Sequence, residues 1–215
     1  MMLDFNNDKT YTKETVLTNV RYALFNPKSL RDDAVSAEFL DLAVVFALID
    51  SSSPYRARYK IIDAMDMVSL DIKLDEIMEA ANENCKKARY DIVPIEDAIS
   101  DITGMAIPSS VPYLMCIGTN SERILGASIL MYERYFEELA IQLNDDLCIM
   151  PSSIHELIIV PLSYVDPGYA LKTVREINKE IVGADEILSD NIYFYRRNEH
   201  KLSLVTTRGL NNLTC

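Results

Sequence analysis

Ser152, Ser153, His155 and Glu156 fall inside the short stretch "MPSSIHE", Met150–Glu156, of a 215-residue chain. Such residues could perform acyl transfer, with Ser153 as nucleophile, His155 as general base and Glu156 holding the imidazole in place. The spacing works against that chemistry. Alternate side chains of an extended strand share a face, so Ser153 and His155 lie side by side while Glu156 points away and cannot orient the ring. There is no G-x-S-x-G elbow to expose a serine at a helix N-terminus and supply oxyanion donors. A hydrolase using Ser153 and His155 would need its acid from elsewhere in the fold. The same letters also spell a turn: Pro151 ends a strand, the serines bond nearby backbone, and His155 and Glu156 begin the return strand.

Other groupings of reactive residues are weaker. Asp63, Asp66, Asp71 and Asp75, with Asp145 and Asp146 elsewhere, could hold a hard cation, but they lack the ligand spacing and central glycine of an EF-hand. They read as a strand edge followed by a solvated helix start, and neither a metal nor a cofactor is expected. Gly118 and Gly126 bracket a hairpin loop without the G-x-G-x-x-G pattern that cradles phosphate. Asp41, inside "FLDLAVVF", places a carboxylate in apolar chain and calls for a partner, a cap or an arginine. Tyr193, Phe194 and Tyr195 beside Arg196 and Arg197 resemble a base-stacking surface, but a net charge of −12 repels a phosphate backbone, so nucleic acid is not an expected partner.

The elements that must position these residues follow from hydrophobic spacing. The continuous apolar run 39–49 reads as a strand covered on both faces, with 58–68 as its neighbour and residues 19–26 as a further strand. A helix is expected over 73–90, where Leu74, Ile77, Met78, Ala81, Cys85 and Ala88 recur at three- and four-residue steps. Residues 111–119 and 126–131 read as the next two strands, followed by a helix on the stripe Tyr132, Tyr135, Phe136, Leu139 and Leu143. "LCIM" and "ELIIVPL" form a third pair of strands. The next helix spans 167–182, with Asp166 as N-cap, Pro167 in first position, Leu171, Val174, Ile177 and Ile181 facing inward, and Gly183 as stop. "GADEILSD" at 183–190 reads as a short helical turn capped by Asp185 and Ser189, and "NIYFYRR" with "KLSLV" as a closing hairpin.

Repeated strand–strand–helix units with a C-terminal hairpin define an α+β fold of mainly antiparallel sheet. The interruption at 101–112 divides an N-terminal half, 1–103, from a C-terminal half, 111–215, and the pattern is equally that of one domain. Cys85, Cys116 and Cys148 sit in apolar patterns and read as reduced, buried thiols, with Cys215 the exception. There is no basic segment leading into an apolar leader, and no apolar run of about 18 residues that would span a bilayer, so a cytoplasmic location without a membrane partner is expected.

"FLDLAVVF", "YLMCIGTN" with "GASILMY", "LCIMPSSIHELIIVP" and "INKEIVGADEILSDNIYFY" resemble, in that order, the signature blocks of an uncharacterised bacterial family, a domain of unknown function found mainly in anaerobic Gram-positive bacteria. The resemblance runs from about residue 20 to about residue 200 and is densest at Met150–Glu156 and Glu186–Asp190. It implies a bacterial source and a shared fold, with no reaction attached. Many relatives carry a further leader before the first strand, so a function residing there would be missing here. Dense apolar patterning without a complete catalytic constellation points to a non-catalytic binding module rather than an enzyme. Its ligand, a protein or small molecule, would meet the sheet-end loops 119–125 and 151–156, through Asn120, Ser121, Ser152, Ser153, His155 and Glu156. The competing readings are the Ser153/His155 hydrolase and a structural homo-oligomer joined edge to edge through the aromatic strand 192–195 and the final hairpin.

Overall fold

The structure, a computed structural model, describes residues 11–50, 58–105 and 114–211. The first sheet contains β1 (Arg21–Phe25), β2 (Ser36–Phe39), β3 (Leu42–Asp50) and β4 (Arg58–Ile61). β3 is its centre, pairing antiparallel with β1 on one side and with β2 and β4 on the other. The second sheet contains β5 (Tyr90–Pro94), β6 (Cys116–Asn120), β7 (Leu147–Ser153), β8 (Glu156–Pro161), β9 (Ile192–Arg196) and β10 (Lys201–Val205), in the order β10-β9-β7-β8-β6-β5. All of its pairings are antiparallel and β9–β10 is the C-terminal hairpin, so the α+β class holds.

Strand alternation divides the apolar residues among three cores. On β3, Val45 and Ala47 join the central core between the sheets, while Phe46 and Leu48 face α1 (Lys13–Asn19), α2 (Ala64–Ser69) and α3 (Leu74–Lys87) with Val16, Met67, Ile77 and Ala81. On β7 and β9, Leu147, Ile149, Tyr193 and Tyr195 enter the central core. Cys148, Ile192 and Phe194 instead meet Ala170, Leu171 and Val174 of α6 (Pro167–Glu180). The run at 39–49 is not one strand: Phe39 ends β2, Leu40 and Asp41 turn, and β3 begins at Leu42, so only its later part, from Val45 to Leu48, alternates between two cores. Around these lie α4 (Ile95–Thr103), α5 (Glu133–Leu143) and the short α7 (Thr207–Asn211). Among the described residues no helix is long and apolar enough to cross a membrane.

Several sequence expectations need correction. Gly126–Met131 is a 3-10 turn and not a strand. Residues 126–130 are all buried, and a run buried on every side has no period from which a strand can be told. The strand beside β6 is instead Tyr90–Pro94, which the expected helix over 73–90 had partly absorbed; that helix ends at Lys87. Only Arg58–Ile61 of the stretch 58–68 is strand, because Asp63 and Asp66 form a capping box that starts α2. In α6, Asp166 caps and Pro167 leads as expected, but Ile177 and Ile181 are exposed and Asn178 takes the inward place. Its amide donates to the Ser189 carbonyl at 2.9 Å and to Asp190 Oδ1 at 3.0 Å. The segment 183–190 forms turns without a helix, and Ser189 serves Asp41 instead of a cap. Residues 106–112 of the expected break, residues 111–113 of the strand expected over 111–119, and Cys215 lie outside the described residues.

Candidate functional site

The hairpin that carries "PSSIHE" turns on Ile154 and His155, between Ser153 at the end of β7 and Glu156 at the start of β8. Ile154 is buried, and both of its backbone groups leave the hairpin: its N–H donates to the Glu186 carbonyl at 2.9 Å, and its carbonyl accepts from Ala127 N–H at 3.3 Å. Thr119 Oγ1 donates to the His155 carbonyl at 2.8 Å. The Leu125 N–H donates to His155 Nδ1 at 3.0 Å. Segments 119–127 and 186 are therefore stitched to one turn, which satisfies backbone groups that sheet pairing leaves over.

That last bond fixes the chemistry of the imidazole. With the Nδ1 lone pair occupied by a backbone donor, the neutral ring carries its proton on Nε2, which lies 3.9 Å from Glu186 Oε1. No lone pair remains to accept a serine proton. Ser153 Oγ accepts from the His155 backbone N–H at 3.0 Å, and Ser152 Oγ donates to Glu156 Oε1 at 3.3 Å. Ser153, His155 and Glu156 are neighbours without forming a relay. Asn120 is buried and spends its amide on one residue, donating to the Ile124 carbonyl at 2.7 Å and accepting from Ile124 N–H at 3.2 Å. Ser121 is exposed and donates to Glu122 Oε2 at 3.1 Å.

Burial lowers the His155 pKa below its ordinary value of 6.5, with the Glu186 and Glu156 charges pulling the other way. Tyr59, whose ring stands edge-on to the imidazole at 6.3 Å, has its own pKa pushed up to about 12, by burial first and then by Asp185 and Glu186. The unfolded chain therefore binds a proton at this histidine more readily than the folded one does. The stabilisation from neutral His155 is complete above pH 6.5 and is lost as pH falls through the folded pKa. Urea midpoints measured between pH 7.5 and 5 should fall for the native chain and fall less for His155→Gln; parallel curves would contradict the assignment.

The carboxylate of Asp41 finds partners, though no arginine. It sits in the tight turn between β2 and β3, beside Leu40 at φ 57°. It accepts from Ser189 Oγ at 2.5 Å, Asn191 Nδ2 at 2.9 Å and Tyr193 OH at 2.7 Å. The "LSDNIY" letters thus form a donor set for a residue some 150 positions earlier. Three of the other acids singled out in the sequence have basic partners: Arg31 reaches Asp63 at 2.5 Å, Lys60 reaches Asp66 at 2.7 Å, and Arg196 reaches Asp146 at 2.8 Å.

Sequence reasoning missed a groove of about 950 Å³ between α3 and the start of α5. Met78, Met131, Tyr22 and Tyr132 give it apolar walls, and Asp75, Glu79 and Glu83 form an acidic edge. Tyr132 packs on buried Tyr90 with ring centroids 5.0 Å apart, and Tyr22 N–H donates to Cys85 Sγ at 3.4 Å, tying α3 to β1. A signal was present: Met78 lies on the apolar stripe of α3 yet is 42% exposed, so that stripe is wider than the core it covers.

Fold and site together define an α+β protein of two antiparallel sheets, with a histidine turn locked into its frame and an open groove beside α3. A model described as a family of unknown function, DUF5688, matches residues 2–197, and the chain belongs to that family. No curated protein and no solved structure matches the chain.

Proposed function

We propose that the protein is a non-catalytic binding module whose principal site is the groove between α3 and α5. The observation that carries this reading is the groove itself: its volume of about 950 Å³ falls in the range of ligand sites, and its Met and Tyr walls flank a charged edge. The occupied Nδ1 of His155 argues against hydrolysis at the "PSSIHE" turn. In the sheet-end loops 119–125 and 151–156, Ser121 and Arg123 are exposed and Glu122, Ser152, Ser153, His155 and Glu156 half-exposed, so these polar groups are within a partner's reach. The reading includes a cytoplasmic location, supported by the buried thiols of Cys85, Cys116 and Cys148, which are not joined in disulfides with one another.

Methionine-methyl NMR of the intact chain tests the reading. A neutral aromatic fragment such as indole should shift the Met78 and Met131 methyl signals in a saturable way and leave those of buried Met67 and surface Met65 in place. Shifts spread over all four, or absent at Met78 and Met131, would remove the groove as a site.

A further inference from the structure

Asp75, Glu79 and Glu83 are spaced four residues apart on α3, so they form one ridge along the helix. Met78, Asn82 and Lys86 form the neighbouring ridge, and every one of these six residues lines the groove. From residue 75 to residue 86 the wall is about 16 Å long, three helical turns, which suits an elongated ligand better than a rounded one. Its basic groups are already engaged. Lys86 pairs with Glu83 at 2.5 Å, and the Arg134 guanidinium lies 4.8 Å above the Tyr135 ring. Among the described residues, no ion pair engages Asp75 or Glu79.

We infer that the groove binds a basic amphipathic helix of another protein, an assignment that rests on the binding reading above and names the ligand class. Apolar residues on one face of the guest would meet Met78, Met131 and Tyr132, where flexible thioethers adapt to varied shapes. Lysine or arginine on its flank would meet Asp75 and Glu79, which stand exposed at the edge. A second copy of this chain fits poorly, because a net charge of −12 opposes self-association and the acidic ridge would face another acidic surface. Nucleic acid is repelled by the same ridge.

The test uses the intact chain and a labelled synthetic peptide of leucine and lysine in helical amphipathic spacing, followed by fluorescence anisotropy. Asp75→Asn with Glu79→Gln should weaken binding about fivefold or more. Glu176→Gln with Glu180→Gln, which removes the same charge from exposed sites on α6, should change it less than about twofold. A scrambled peptide of identical composition should bind at least about fivefold more weakly, and the Met78 and Met131 methyls should shift with the ordered peptide only. Equal losses in the two double variants, equal binding of the scrambled peptide, or no binding at all would overturn the proposal. If indole still shifts Met78 and Met131 while the peptide fails, the groove stands and the ligand class falls; if both fail, the binding reading falls with it.

Discussion

Gly126→Ala should destabilise the fold by about 3 kcal/mol, or leave the chain unable to fold in soluble form. A methyl group at that position would lie 2.1 Å from Thr119 Oγ1, 2.5 Å from the His155 carbonyl oxygen and 2.7 Å from the Asn120 backbone nitrogen. Two of those atoms are backbone, held by the lock between loop 119–125 and the histidine turn, so they cannot swing aside as a side-chain tip would. The requirement is close approach rather than an unusual dihedral, since Gly126 is not among the residues with positive φ. Gly118 provides the comparison. There the nearest atom is Ile159 Cδ1 at 3.0 Å, the end of a flexible chain, and Gly118→Ala should cost about 1 kcal/mol. Urea unfolding of both variants gives the answer. Equal midpoints would mean that the 126 backbone does not touch the turn as described.

The junction at Gly126 also shows where the sequence was legible. Continuous apolar runs marked β7 and β9, because each of those strands has two faces with different cores to serve. Asp166 and Pro167 marked the start of α6, since capping is a local property. Gly126–Met131 carries no such signal: buried from Gly126 through Leu130, its letters suit a strand or a tight turn equally. The candidate site divides in the same way. Proximity of Ser152, Ser153, His155 and Glu156 could be read from the chain, but the tautomer of His155 is set by Leu125, thirty positions away. The groove brings Met78 together with Met131 and Tyr132, a long-range juxtaposition that hydrophobic spacing on α3 alone does not encode.

Long-range pairing of that kind is also the basis for the second large effect, expected at Asp41. Asp41→Ala should cost about 3 kcal/mol, because Ser189, Asn191 and Tyr193 each lose the acceptor they now share. Ser189 is 2% exposed and Tyr193 fully buried, so these two hydroxyls are poorly placed to find water in place of the carboxylate. Burial, and then the negative charge of Asp41, push the Tyr193 pKa upward, as expected for a hydroxyl that stays protonated and donates. Tyr193→Phe should cost less, about 1 kcal/mol, since it removes one donor and leaves Asp41 two others. The double variant Asp41→Ala with Tyr193→Phe should then be less destabilised than the sum of the two, because no buried phenol is left without an acceptor. An additive cycle would place the cost in Ser189 and Asn191 alone. A loss below about 0.5 kcal/mol for Asp41→Ala would contradict the shared-acceptor geometry. That geometry ties the β2–β3 turn of the first sheet to the segment entering β9 of the second, so its removal should also loosen the packing of Tyr193 and Tyr195 in the central core. Near-ultraviolet circular dichroism reads that packing directly, since the chain has twelve tyrosines and no tryptophan to mask them.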